Sequence, residues 1–279
     1  FLRESKGLVM SKLIVSAKSK DHLLKLLKKD IDGVIIYLEG LSVNSDFYLG
    51  IEDVKKIDMN NKEVFLCMNK IMHNKDLSEV RRVLGIIQDM DVRVLFYDMG
   101  VYNIALEYGI VDKLVIYQDH ANTSILTNNF YQGLGISGSF ISNDITMEEL
   151  LDIKKNSKGD IMFLGYGYQP IFYSRRYLIN NYLEYVDEYS GKEYRIISDN
   201  GVGYPISEED EGTTIYSPRV INLINYMDKL EDIDYIVMNS VIGKIEEFDE
   251  MVDKFIKREK IDDDTYLGFL NVKTIYKLK

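Results

Sequence analysis

A chain of 279 residues with 46% hydrophobic and 28% charged residues can bury a sizeable core, which excludes wholesale disorder. Its 34 Lys and Arg against 45 Asp and Glu give a formal net charge of -11, so the average surface repels phosphate backbones and anionic membranes. That excludes generic nucleic-acid coating but not a local basic groove. The single cysteine, Cys67, excludes an intramolecular disulfide and any all-thiolate metal or iron-sulfur site within one chain, and points to a reducing compartment.

In chain order, residues 1–9 are too short and too charged for a signal peptide, and Met10-Ser11-Lys12 reads like a native start with an upstream remnant before it. No apolar run reaches the roughly 18 residues of a membrane span, so the expected location is the cytoplasm. From Met10 to Lys279 a single domain is expected. Short apolar, β-branched runs then alternate with amphipathic segments. The strands are expected at residues 13–17, 34–38, 64–68, 92–97, 114–117, 136–141, 161–164 and 235–238. Helical spacing occupies 21–29, 77–90, 102–108, 147–155 and 245–258. Eight near-continuous apolar strands with helical crossovers define an α/β fold, a TIM-like (β/α)8 barrel. An open doubly wound sheet is disfavoured, because Ser16-Ala17-Lys18-Ser19-Lys20 stands where a glycine-rich phosphate turn belongs.

The spacing breaks after Leu164. Pro170, Pro205 and Pro218 and a group of glycines fall between the seventh and eighth strands, which predicts an insertion over 170–230 on the C-terminal face. A helix is expected over 174–189, a hairpin with arms 194–198 and 213–216, and a helix over 219–230. Residues 267–278 read as one further strand.

Polar residues at the C-terminal ends of barrel strands face the mouth, and here they include Glu39, Asn69, Asp98, Gln118, Asp119, His120, Asp144, Tyr166 and Asn239. A carboxylate beside a histidine can serve as a general acid/base pair, and Asp98 or Asp144 with His120 is the predicted catalytic set. The competing reading is that strand-end carboxylates cap the helix that follows. Arg175 and Arg176, beside tyrosines, are predicted to bind a phosphate or carboxylate, against a surface pairing with Glu184 and Asp187. His22 and His73 read as solvated and Cys67 as a buried, inert thiol; no metal-ligand spacing occurs.

The stretch Phe163-Leu-Gly-Tyr-Gly-Tyr-Gln-Pro-Ile-Phe-Tyr-Ser-Arg-Arg-Tyr-Leu178 resembles the signature region of the collagenase-like peptidase family U32. His120-Ala-Asn122, residues 142–150, Tyr204-Pro-Ile206 and residues 268–277 are similar to further segments of a short Gram-positive branch of that family. The resemblance implies a peptidase or hydrolase; Asn122 of the family-like turn and the strand-end residues Tyr166 and Glu39 are expected to join the two arginines at the substrate. It also implies a departure. The signature is similar to His-Gly-x-x-Cys-x-x-x-x-Gly-x-Cys, and these places hold Tyr166, Gly167, Pro170, Arg175 and Tyr177, while Val220-Ile-Asn222 lacks a third family cysteine. In members that hydroxylate RNA bases or a quinone precursor without oxygen, cysteines hold an iron-sulfur cluster. This chain is therefore expected to carry no cofactor and no metal. Because some members work as pairs, the resemblance allows a second reading, a cluster-free partner subunit of a cysteine-bearing paralogue that modifies tRNA. A small-molecule barrel enzyme is a third. The substrate is thus expected to be a tRNA or a peptide, with no membrane partner.

Overall fold

The computed structural model describes residues 10–118, 121–187 and 194–272. Eight parallel strands close on themselves: β1 (Lys12–Ser16), β2 (Gly33–Leu38), β4 (Glu63–Met68), β5 (Arg93–Phe96), β6 (Leu114–Tyr117), β7 (Gly138–Phe140), β8 (Asp160–Gly167) and β14 (Tyr235–Met238). Each pairs with the next, and β1 joins both β14 and β2, which completes a TIM-like barrel. Short β3 (Tyr48–Leu49) extends the sheet beside β2. Around it run α1 (Lys20–Leu26), α2 (Ile51–Val54), α3 (Leu77–Ile87), α4 (Met99–Tyr108), α5 (Ile125–Gly133), α6 (Met147–Asn156) and α8 (Ile245–Lys257). Every residue of β2, β6 and β14 is buried, as expected of strands covered on both faces. No helix among the described residues is long and apolar enough to cross a membrane.

The barrel's N-terminal end is closed by a polar plug. Arg93 donates to Asp160 at 2.8 Å, to Ser137 Oγ at 2.8 Å and to the Tyr235 hydroxyl at 3.2 Å, and its guanidinium lies over the rings of Phe65 and Tyr235. Tyr235 in turn donates to Glu63 at 2.8 Å. Gly138 makes room for this plug: a Cβ there would stand 2.9 Å from the Arg93 guanidinium.

His22 is buried, not solvated as the sequence led us to expect. Its Nδ1 accepts from the Lys18 N–H at 3.1 Å, which leaves Nε2–H to donate to Asp249 Oδ1 at 3.3 Å and ties α1 to α8. Burial pushes the imidazole below its ordinary value, against the opposing pull of Asp249. Burial pushes Asp249 up, but Lys25, His22 and Lys29 outweigh it and hold the carboxyl below the usual range. Both groups bind protons more weakly folded than unfolded, so the stability they provide is complete above the unfolded histidine value of about 6.5 and is lost as pH falls through the folded values. The urea midpoint is therefore expected to fall between pH 7.5 and 5.5, with His22→Gln flattening that dependence. An unchanged slope in His22→Gln would remove His22 from the account.

The insertion differs from expectation in topology. Its sheet has four antiparallel strands in the order β10-β11-β12-β9: β9 (Pro170–Ser174), β10 (Tyr194–Ile197), β11 (Gly203–Glu209) and β12 (Gly212–Tyr216). The predicted hairpin arms 194–198 and 213–216 are strands but do not pair, because β11 lies between them. Gly203 and Pro205 read as turn punctuation and hid that strand. The predicted helix at 174–189 begins later, as α7 (Leu178–Val186), since Ile171, Phe172 and Tyr173 suit a pleated edge strand paired with β12. The predicted helix at 219–230 is instead β13 (Ile221–Asn222), antiparallel to the end of β8, followed by a 3-10 helix over Ile224–Lys229. Asn222 redirects the chain there by accepting from the Ile224 N–H at 3.1 Å. In place of a strand, residues 267–272 form a turn after the bridge between Tyr266 and Ile221; the remainder of that expected strand lies outside the described residues, as do residues 1–9.

Candidate functional site at the barrel mouth

The insertion sheet has two faces. Directly paired residues share a side, so Tyr173, Thr214 and Ser207 lie on one and Phe172, Ile215 and Ile206 on the other. The first face sits on the mouth beside β2, β4 and β5. Thr214 Oγ1 donates to Asn44 Oδ1 at 2.6 Å, and the Tyr48 hydroxyl donates to Glu209. Burial pushes Glu209 up, with Asp46 and Asp210 adding to it against the Tyr48 bond.

A four-charge cluster fastens this docking. Lys70, just past β4, is only 2% exposed; its Nζ donates to the Gly40 carbonyl and to Asp76 Oδ1 at 3.2 Å, and pairs in charge with Glu211 Oε2 at 3.1 Å. Arg175 completes the square: it donates to Asp76 Oδ2 at 3.1 Å, Glu211 Oε2 at 3.3 Å and the Ile71 carbonyl at 3.0 Å. Burial pushes Asp76 up, and the His73 N–H, Lys70 and Arg175 outweigh it to hold the carboxyl below the usual range.

Among the described residues, clefts lie under the insertion. One, of about 160 Å³, is lined by Asn44, Asn69, Tyr97 and the β9 strand. Another, of about 660 Å³, is acidic, with Glu39, Asp46, Glu209, Asp210 and Glu211 around Ser42, Ser45 and Tyr48.

The structure redistributes the predicted site. Asp98 caps α4: Oδ1 accepts from the Gly100 N–H at 2.7 Å and Oδ2 from the Met72 N–H at 3.2 Å, so the capping reading describes it. Asp144 is exposed and accepts from Ser142 Oγ at 2.9 Å and Gln169 Nε2 at 3.4 Å. His120 lies outside the described residues. Arg175 is engaged in the clasp and not with Glu184 or Asp187, whereas the Arg176 side chain is exposed, so the two arginines do not converge. Tyr166 does not face the mouth; its ring lies near Phe248 and Phe255 of α8, and burial pushes its hydroxyl up. Asn122 is fully buried beside β7, with Nδ2 donating to the Phe140 carbonyl at 3.5 Å and Oδ1 accepting no hydrogen bond among the described residues. Glu39 borders the acidic cleft.

Sequence reasoning missed Lys70, Asp76 and Glu211. Lys70 follows Asn69 directly at a strand end, which was the available signal.

An iron-sulfur cluster of the kind the resemblance implies does not fit these residues. Pro170 begins β9, the Tyr177 hydroxyl donates to the Asp210 carbonyl at 2.8 Å, and Cys67 is fully buried within β4. After anaerobic incubation with iron and sulfide, the purified chain is expected to show no visible charge-transfer absorbance; stoichiometric cluster uptake by the single chain would contradict this assignment.

The fold and mouth define a closed β/α barrel whose C-terminal face carries an inserted sheet. The model of peptidase family U32 matches residues 46–263, and the chain belongs to that family. It is 27% identical over 268 residues to the "tRNA hydroxylation protein P2" of Bacillus subtilis, covering 90% of this chain and 85% of that one. It is 25% identical over 197 residues to an uncharacterised protease of Methanocaldococcus jannaschii, covering 66% of this chain and 47% of that one. The solved U32 peptidase Mk0906 superposes with a TM-score of 0.53 at 15% identity over 88% of this chain and 98% of that one, a likeness of fold.

Proposed function

We propose that this chain acts in tRNA hydroxylation as a cluster-free subunit that supports a cysteine-bearing member of its family. The observation that carries this reading is the similarity, along 90% of the chain, to a protein named for tRNA hydroxylation, in a sequence that has one buried thiol. A partner subunit needs no nucleophile of its own. It needs a surface for the catalytic chain and a shaped mouth, and the insertion docked over the barrel mouth supports that reading.

The peptidase reading asks for more. Peptide hydrolysis requires an activated nucleophile or water, a base and an oxyanion site, which together contribute many kcal/mol. Asp98, one candidate partner for a base, already accepts from two backbone N–H groups. The direct test is affinity purification of the tagged chain from its native host, alongside digestion of gelatin and casein by the isolated chain. Recovery of a cysteine-bearing family member and no digestion is the expected result. Proteolysis that vanishes on His120→Ala, with no family member recovered, would reverse the reading.

A further inference from the structure

One face of the insertion sheet is turned to the barrel; its other face carries α7 and remains open. Helix α7 buries no residue, yet it has two apolar stripes at helical spacing. Ile179, Leu183 and Val186 form the half-buried stripe on the helix that packs against β12. Leu178, Tyr182 and Tyr185 form the second, at 36%, 63% and 88% exposure. Its placement is fixed, because Glu208 of β11 accepts from the Ile179 N–H at 2.8 Å and the Asn180 N–H at 3.0 Å, and Thr213 Oγ1 accepts from the Leu178 N–H at 3.0 Å. On the same sheet, β10 pairs only with β11 among the described strands, and Ile196 and Ile197 are exposed on opposite sides of it. Phe172 is exposed on the far edge strand, β9.

Such a concentration of solvent-facing aromatic and β-branched side chains marks an interaction surface. Its charge selects the occupant. Glu184 of α7, Asp187 at its end and Asp199 after β10 are exposed there, against Arg176. Carboxylates in excess repel an RNA backbone, and they also oppose a second copy of this chain, which would bring the same carboxylates against themselves. The surface suits a different protein with an apolar centre and a rim of Lys and Arg.

We infer that the outer face of the insertion, centred on Leu178, Tyr182 and Tyr185 of α7 and bordered by the β10 edge, is the docking surface for the catalytic partner chain. This rests on the partner-subunit reading above. The partner is then expected to present lysines and arginines around an apolar patch, and to leave the barrel mouth accessible from the side opposite the clasp.

The test measures binding between the purified full-length chain and the purified cysteine-bearing family member of the same host. Tyr182→Ala/Tyr185→Ala is expected to weaken binding at least about tenfold. Leu126→Ala/Phe130→Ala, on the exposed apolar face of α5, serves as the control and should leave it unchanged. Both variants remove exposed side chains, so far-UV circular dichroism and the melting midpoint should match the parent. If both variants bind as the parent does, or if only the α5 variant weakens, the surface assignment is overturned while the partner reading stands. If the parent chain binds no cysteine-bearing member, the partner reading fails and this inference with it. Self-association of the parent that is abolished by Tyr182→Ala/Tyr185→Ala would identify a second copy as the occupant and overturn the charge argument.

Discussion

Lys70→Met is expected to lower the unfolding free energy by about 3 kcal/mol, because removing one partner of a buried ion cluster leaves the others uncompensated. Lys70 is 2% exposed and bridges the carboxylates of Asp76 and Glu211 to the Gly40 carbonyl. Methionine preserves most of the stem's packing, so the change reports chiefly on charge. Arg175 still reaches both carboxylates, which places the expected loss at the lower end of the range for a broken buried pair. Combining Lys70→Met with Glu211→Gln should cost less than the sum of the two single changes, since they share one cluster. Urea unfolding of the three variants measures this. A loss below about 1 kcal/mol for Lys70→Met would mean that the cluster does not hold the insertion to the barrel.

Gly212→Ala is expected to be at least as damaging, by a different mechanism. Gly212 opens β12 at φ 130, a backbone region closed to most L residues, and a Cβ there would lie 2.1 Å from the Ser174 carbonyl oxygen and 2.8 Å from Arg175 Cα. The contact is backbone against backbone, so relief requires β9 and β12 to separate at the point where Arg175 leaves the sheet for the clasp. A loss of about 3 kcal/mol or more is expected, together with faster proteolysis within 170–230 than in the barrel. Gly40→Ala is the matched control: Gly40 also has positive φ, at 69, but among the described residues no atom beyond its chain neighbours would lie within 4 Å of an added Cβ, so only backbone strain of about 1 kcal/mol is expected. Equal losses at the two sites would show that close approach at Gly212 is not the cause.

The barrel was legible because two-sided burial writes itself as continuous apolar runs. Val34 to Leu38 and Tyr235 to Met238 are buried along their whole length, and both were visible as strands. The insertion was less legible because its strands are short, half-exposed and stabilised by pairing with one another. In β11, Gly203 and Pro205 carry turn chemistry inside a strand held by β10 and β12. The mouth was legible in place but not in role. Asp98 and Arg175 do sit at the C-terminal face, yet one caps a helix and the other clasps two carboxylates. A carboxylate at a strand end has the same sequence signature whether it awaits a substrate or accepts from the backbone amides of the next helix. Tyr166 shows the same limit: β8 runs to Gly167, beyond the expected end at Leu164, and the Tyr166 ring lies near α8 and not in the mouth. His22 was misjudged because a lysine-rich helix reads as solvated, whereas its lysines surround a buried contact with Asp249.

On the proposed function, this chain serves tRNA hydroxylation without a thiolate of its own. Quantifying hydroxylated nucleosides by mass spectrometry in total tRNA tests it most directly, using a native-host strain that lacks the chain and is complemented with the parent or with Cys67→Ala. The account predicts that the hydroxylated nucleoside falls in the deletion strain and returns to the parental level with both complements. Unchanged hydroxylation in the deletion strain, or restoration by the parent but not by stably folded Cys67→Ala, would contradict it.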